Sequence, residues 1–395
     1  MNSKLLVVNA GSSSIKMQLF EKNSLNVIAN VLTERIFLTD SKITIKYNNQ
    51  VYEKTLILSN HQIAVEQTLT FLSELKVIEN IDEIISIGFR VVHGGPYFNK
   101  STILNNQVIE LINQCSIYAP LHNPGAVQAI NAFKEVMPNA TLIASFDTSF
   151  HSSIPLLNSI YPIPYKWTQK YNIKKYGFHG ISHNFIKNKV SEILNIKKPN
   201  IISLHIGSGA SICAIKNGLS IDTSMGFTPL AGIMMGTRTG DIDPSIIEFI
   251  CKNEKLSVEE VTNILNKQSG LLGVSEFSND TRDIQRAIAE GNKQAQFSND
   301  LYVQKIVDYV ADYANKLENK IDAIVFTAGV GENQPELRKE VCEKLFFKKI
   351  KIDQKINNDK VKDWSLISTN DSEVKIFVIR TNEELMIAQD MIKLL

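Results

Sequence analysis

Several short segments place charged or polar side chains beside glycine at the end of an apolar run. Asn9-Ala-Gly-Ser-Ser-Ser-Ile-Lys16 offers one amide, three hydroxyls and a lysine. Hydroxyls and backbone N–H groups in a turn of such small residues can meet a phosphate, or the water around a divalent cation, because little bulk shields them. The same letters also describe an ordinary serine-rich turn. In Phe89-Arg90-Val-Val-His-Gly-Gly95 an arginine precedes a double glycine. A guanidinium there can fork onto a carboxylate or phosphate, or lie on the surface beside a loop. His122 sits between Pro120 and Pro124, and Asp147 ends the apolar run from Leu142 to Phe146. A carboxylate at the C-terminal end of a strand suits a ligand or metal; the simpler reading is a helix N-cap.

Further along, Lys174-Lys-Tyr-Gly-Phe-His-Gly-Ile-Ser-His183 holds two histidines four residues apart. Zinc would need a third ligand, and the protease version needs a glutamate beside the first histidine; neither is there. Arg238 lies between Gly236 and Gly240 in a glycine-rich stretch, a setting that suits anion binding. Asn279-Asp-Thr-Arg-Asp283 and Phe326-Thr-Ala-Gly-Val-Gly-Glu-Asn333 could pass close to a nucleoside, and Thr381-Asn-Glu-Glu384 could offer a carboxylate to Mg²⁺ or simply begin a helix. There is no G-x-x-x-x-G-K-[ST], no H-R-D paired with D-F-G, and no G-x-S-x-G, which excludes a Walker loop, a protein kinase and a nucleophile elbow.

The elements that must hold these segments follow from periodicity. Apolar runs at Leu5–Val8, Ile84–Ile87, Leu142–Phe146, Ile201–Ile206, Ile321–Phe326 and Val374–Ile379 read as buried strands. Val303, Ile306, Val307, Val310, Ala314 and Leu317 mark one face of a helix. Ser257 and Glu260 form a capping box that opens another helix, with Gly270 expected to end it. Asn23 to Lys54 is polar and β-rich and reads as hairpins. Strands alternating with helices give an α/β class. A chain of 395 residues exceeds what one core usually supports, so two domains are expected. One internal echo bears on this. Leu6 to Lys16 and Leu204 to Cys213 each run strand, small-residue turn, strand. They are either two unrelated hairpins or matching parts of two similar halves around a nucleotide cleft.

A net charge of +1 offers no basic field for nucleic acid. The four cysteines are scattered without a C-x-x-C pair, which argues against zinc and against a disulfide framework. No leader-like segment and no apolar stretch of about 20 residues is visible, so a cytoplasmic location with no membrane partner is expected.

Taken in order, these segments resemble the acetate kinase family from Asn9 to Asp390. That family belongs with the sugar kinases, actin and heat-shock chaperone ATPases. The resemblance implies two duplicated ribonuclease-H-like, actin-like ATPase domains with a nucleotide cleft between them. The boundaries expected are residues 1–150 plus 384–395 for the N-terminal domain and 151–383 for the C-terminal nucleotide-binding domain. By the same resemblance Asn9 and Glu383 match the Mg²⁺ site, with Mn²⁺ able to substitute, and Ser12, Ser14 and Lys16 match a first phosphate loop. Arg90 matches the arginine on the substrate carboxylate, and Asp147 the active-site aspartate. His179 and Arg238 match transition-state stabilisers, with His122 facing the transferred phosphoryl. Val92, Leu121, Phe178 and Pro229 match the pocket for the acyl methyl. His205, Ile206, Gly207, Ser208 and Gly209, then Asp280, Thr281 and Arg282, then Gly329, Val330, Gly331, Glu332 and Asn333, match nucleotide-binding segments. Four positions depart from the family's pattern. Ser208 stands where asparagine is usual, Ala231 where glutamate is common, Phe89 where histidine is common, and Thr281 where a bulkier residue is common.

The implied reaction is reversible transfer of the ATP γ-phosphoryl group to acetate, giving acetyl phosphate and ADP, by a homodimer. A carboxylate with a pKa near that of a side-chain carboxyl, about 4.3, is ionised at pH 7, so the acceptor needs no general base. The protein has to align the partners and neutralise phosphoryl charge. Propionate or butyrate kinase is the nearest alternative. A sugar kinase would use Asp147 as a base but has no need of the Arg90 fork. A nucleotide-driven binding module would lack the histidine- and arginine-rich loops.

Overall fold

The computed structural model describes residues 3–120 and 122–395. The chain divides into two compact units, Met1–Phe150 with Asn382–Leu395, and His151–Thr381. Asn382 and Glu383 thus fall with the first unit rather than the second. No helix among the described residues is long and apolar enough to cross a membrane.

The first unit is built on β1 (Lys4–Ala10), β2 (Ser14–Glu21), β3 (Val27–Glu34), β4 (Ser41–Tyr47), β5 (Gln50–Leu56), β6 (Ile84–Val91), β7 (Thr102–Ile103) and β8 (Thr141–Phe146). Their order across the sheet is β5-β4-β3-β2-β1-β6-β8-β7. The polar stretch after Asn23 alternates in and out along β3 and β4, as expected of hairpins with one wet face. β1, β6 and β8 run parallel and are largely buried. Gly88 lets the last helix, Glu383–Leu394, lie directly on β6: a Cβ there would come within 2.4 Å of the Met391 sulfur. Phe89 points into this core and meets Phe133 edge-on at 5.6 Å, which accounts for an apolar ring beside Arg90. Such a pair adds about 0.5–1.5 kcal/mol to the burial of its area.

The second unit is built on β9 (Ile201–Ile206), β10 (Ala210–Lys216), β11 (Leu219–Thr223), β12 (Ala323–Thr327), β13 (Trp364–Leu366) and β14 (Lys375–Ile379), in the order β11-β10-β9-β12-β14-β13. β9 to β11 are antiparallel neighbours, and β12 and β14 continue the sheet in parallel. The first sheet has the same pattern in β3-β2-β1-β6-β8. The two Gly/Ser hairpins, β1–β2 and β9–β10, therefore occupy the same place in two copies of one topology, as in ribonuclease-H-like domains. The apolar stripe from Val303 to Ala314 lies on helix Lys293–Lys316, Leu317 follows as its C-cap, and all are buried.

One local expectation changes, and two segments gain detail. The capping box of Ser257 and Glu260 forms, but helix Val258–Lys267 ends at Gln268. Gly270 instead opens the next helix, Gly270–Ser275, with φ +60°. Its hydrogen faces the carbonyl of Met235, and a Cβ would stand 2.1 Å from that oxygen. Asp280 caps helix Thr281–Ala289 as well as lining a cavity. The glycines of 329–333 lie within a short helix, Ala328–Asn333.

Candidate active site

In the first unit the β1–β2 turn closes with Gly11 N–H on the Ser14 carbonyl at 2.8 Å. Ser12 is exposed and Ser14 half-buried, so both hydroxyls stay within reach of a ligand. His61 Nε2 donates to the Gly11 carbonyl at 3.2 Å, and burial lowers the pKa of this histidine, so it stays neutral. Helix Asn123–Val136 begins against the same turn. Gly125 makes the approach possible, since a Cβ there would fall 2.9 Å from Gly11 backbone. A helix N-terminus beside a hydroxyl-rich turn favours an anion. Asn9 and Lys16 are cross-strand partners on one face, and Lys16 shares a groove of about 350 Å³ with Glu384.

Arg90 and Asp147 stand at the ends of neighbouring parallel strands, Arg90 opposite Ser145 in register. Arg90 Nε and Nη2 donate to the two Asp147 oxygens at 3.1 and 2.8 Å, and Nη1 lies 3.3 Å from Glu383. The fork is nearly dry, with the Asp147 side chain 2% exposed. Burial alone would lower the arginine pKa, but Asp147 and Glu383 outweigh it and raise it. The Glu383 carboxyl is pushed up to about 7, first by burial and then by Asp147 and Glu384, against the pull of Arg90. Three carboxylates around one arginine leave excess negative charge and hard oxygen donors, a setting that fits Mg²⁺. No three His, Cys, Asp or Glu side chains among the described residues form a ready cage, so the ion would take its other ligands from water and phosphate oxygens.

The strand ends are fixed by side chains that the sequence did not single out. Asn123 bonds both backbone groups of His93, at 3.1 and 2.9 Å, and Thr148 Oγ1 accepts from Gly94 N–H at 3.1 Å. His122 precedes this helix as an exposed residue whose side chain makes no cap bond, and Val92 is half-buried. Leu121 lies outside the described residues.

In the second unit His179 and Arg238 come from loops held against the β9–β10 hairpin. His179 precedes helix Gly180–Leu194 with φ +56°, a conformation rarely taken by a residue with a Cβ. Its Nδ1 meets Ser211 Oγ at 2.9 Å, and its ring stacks on His205 at 4.1 Å. His205 Nδ1 lies 2.8 Å from Ser182 Oγ. Phe178 is buried, and its carbonyl accepts from His151 Nε2 at 2.9 Å. The Arg238 guanidinium crosses the hairpin turn, where a Cβ on Gly209 would sit 3.2 Å from Nη1. That nitrogen donates to the Pro229 carbonyl at 3.1 Å, and burial lowers the Arg238 pKa. The loop under Arg238 is clamped at 2.9 Å by Leu271 N–H on the Met235 carbonyl and by Ser269 N–H on that of Thr237.

A cavity of about 440 Å³ opens beside the hairpin. Of the nucleotide segments expected from sequence, Gly207, Ser208, the run Asp280–Arg282, Gly329, Val330 and Asn333 line it. Leu271, Tyr302 and Gln334 line it too and were missed, since isolated residues give no motif. Gln334 donates to Thr281 Oγ1, so a small hydroxyl residue there ties two walls together. His205, Ile206, Gly209, Gly331 and Glu332 lie off the wall. Ile206 is core. Glu332 Oε1 accepts from Ala328 N–H at 2.9 Å and Thr381 N–H at 3.0 Å, and so braces the turn after β12.

The acetokinase family model matches residues 4–389. An acetate kinase of Mycoplasmopsis pulmonis is 55% identical over 99% of both chains. Among solved structures, Porphyromonas gingivalis acetate kinase aligns with a TM-score of 0.94 at 38% identity, covering 99% of each chain. A propionate kinase from Francisella tularensis aligns at 0.92 with 41% identity, covering 98% of each. A duplicated ribonuclease-H-like topology, a buried arginine–carboxylate fork and this full-length match lead to one conclusion: the chain belongs to the acetokinase family, kinases that transfer phosphate to a carboxylate.

Proposed function

We propose that this protein reversibly transfers the γ-phosphoryl group of ATP to acetate. The observation that carries the reading is the 55% identity to an acetate kinase across 99% of both chains. The Arg90–Asp147–Glu383 cluster in the first unit and the contact of Arg238 with the β9–β10 turn in the second support the roles given to them. Arg90 would hold the acceptor carboxylate, its plane set by Asp147. The first-unit turn, with Ser12, Ser14 and Lys16, would meet phosphate oxygens. In the second unit the 440 Å³ cavity would take the nucleoside, while Arg238 and His179 would stabilise the equatorial phosphoryl oxygens. An acetate oxygen attacks the γ-phosphorus in line. The bond to the β–γ bridging oxygen breaks, and ADP leaves with the electron pair. No proton is transferred and no phosphoenzyme forms. Asn9 and Glu383, with Asp147 close by, would hold Mg²⁺, which when bound neutralises triphosphate charge; Mn²⁺ would substitute. A cytoplasmic homodimer is the setting we assign, on the family resemblance.

The test is incubation with MgATP and acetate, propionate, butyrate or glycerol, trapping acyl phosphate with hydroxylamine. Hydroxamate formed fastest from acetate is expected. The 41% identity to a propionate kinase makes propionate the second reading, and a faster rate with propionate would select it. No hydroxamate from any acid while ATP still binds would overturn both.

A further inference from the structure

We propose that Ser211, and His183 through it, are positioning residues for His179: one hydroxyl bonded to two imidazoles sets the tautomer and aim of the ring that meets the phosphoryl group. The inference rests on the reading of His179 as a phosphoryl-facing residue.

The arrangement follows from two periodicities. His183 stands one helical turn after His179, on the same helix face. Ser203 and His205 alternate onto one face of β9, and Ser211 is the cross-strand partner of His205. The helix face therefore meets a sheet face carrying hydroxyls. Ser211 Oγ lies 2.9 Å from His179 Nδ1 and 2.9 Å from His183 Nε2, and His183 Nδ1 lies 2.9 Å from Ser203 Oγ. Ser203, His183 and Ser211 are all fully buried. Burial, followed by the neighbouring His151 and His205, holds the His183 pKa well below its ordinary value, so this ring is neutral.

A neutral imidazole has one donor and one acceptor nitrogen, and a serine has one hydrogen to give. With Ser211 giving its hydrogen within the row, Ser203–His183–Ser211–His179 can then be ordered in two ways. In the first, Ser203 donates to His183 Nδ1, His183 Nε2–H donates to Ser211, and Ser211 donates to His179 Nδ1. His179 then carries its hydrogen on Nε2 and is a neutral donor toward a phosphoryl oxygen. In the reverse order a neutral His179 presents a lone pair at Nε2, which repels that oxygen. Anion binding selects the first order. The backbone of His179 shows that the residue, as well as its ring, is held in place. Its positive φ is a strained choice for this residue, and strain of that kind is kept where the surroundings over-determine a side chain.

The experiment uses the intact protein labelled with ¹⁵N-histidine. Its seven histidines allow the His179 ring to be assigned by comparison with His179→Gln. The expected His179 spectrum has a pyrrole-type Nε2 and a pyridine-type Nδ1. A pyrrole-type Nδ1, with either type at Nε2, would overturn the inference. In Ser211→Ala the His179 ring should lose its single tautomer. There kcat should fall roughly 10–100-fold, the range seen when an outer-shell partner of a metal-ligating histidine is removed, with both KM values within about threefold. Ser211→Thr, which keeps the hydroxyl, should restore the tautomer and most of kcat. If Ser211→Ala does not fold, Ser203→Ala reads the same row from its far end. It should shift the His183 and His179 signals together, and a shift at His183 alone would overturn the proposal. His179→Ala separates the two levels. Wild-type kcat in that variant would sink the underlying reading of His179, whereas a crippled His179→Ala beside an unaffected Ser211→Ala would sink only the positioning role.

Discussion

Replacing Arg90 by lysine keeps the positive charge and removes the fork. The guanidinium makes three contacts, at 3.1 and 2.8 Å to Asp147 and 3.3 Å to Glu383. A lysine is a point charge and can keep the geometry of at most one of them. Each hydrogen bond to a charged group contributes about 1.5–3 kcal/mol net, and about 1.4 kcal/mol is a factor of ten. The same count applies to the acceptor, which an arginine grips with two parallel bonds and a lysine with one. Losing one such bond at the reacting carboxylate should lower kcat/KM for acetate by about 10–150-fold. Stability should fall as well, because the buried Asp147 loses at least one charge-assisted bond while still facing a cation. The assay is hydroxamate formation across a range of acetate concentrations, paired with a thermal melt. Catalytic efficiency within about threefold of wild type, with an unchanged melt, would refute the fork as the holder of the acceptor.

Two further outcomes are expected. Acid should destabilise the protein through histidines buried in the neutral state. Burial lowers the His151 pKa from 6.5 to about 4, with Asp222 and Lys175 facing it in opposite senses, and His183 shifts the same way. The unfolded chain then binds more protons between those values, so stability is full above pH 6.5 and falls toward pH 4. His151 alone accounts for up to about 3 kcal/mol at 1.36 kcal/mol per unit, and a melting midpoint flat across that window would contradict its burial as a neutral ring. Ser208→Asn should lower the KM for ATP severalfold, because a carboxamide reaches farther than a hydroxyl and the cavity of about 440 Å³ has room for it. An unchanged or higher KM would remove Ser208 from phosphate contact.

The strands were legible because buried parallel strands read as unbroken apolar runs, and Ile201–Ile206 is buried at every position. The duplicated hairpins were legible for a related reason: each needs small residues at its turn and apolar residues on both flanks. Less was legible where one residue serves two purposes. Gly270 carries the letter of a helix stop, yet its left-handed backbone opens a helix because the Met235 carbonyl fills the space where a Cβ would be. Asp280 looks like a ligand and also caps a helix, its carboxylate accepting from Arg282 N–H at 2.8 Å. The supports around Arg90 gave no signal, since Asn123 and Thr148 reach it through backbone groups 30 and 54 residues away.

That last class of residue explains how strained backbone survives in the second unit. Two residues with a Cβ, His179 and Ala328, take left-handed conformations, at φ +56° and +65°. Each costs on the order of 1–2 kcal/mol relative to the ordinary basin. Each is matched by a side chain bonded to the neighbouring peptide. His151 Nε2 donates to the Phe178 carbonyl at 2.9 Å, just before His179. Glu332 Oε1 accepts from Ala328 N–H at 2.9 Å, and from Thr381 N–H as well. A hydrogen bond that involves a charged or fully buried group is of the same order as the strain it opposes. His151 and Glu332 are therefore better described by the backbone they hold than by any ligand they could touch. This places Glu332 among the supports of the cavity wall rather than on it, and it gives His151 the same relation to the peptide of His179 that Ser211 has to its ring.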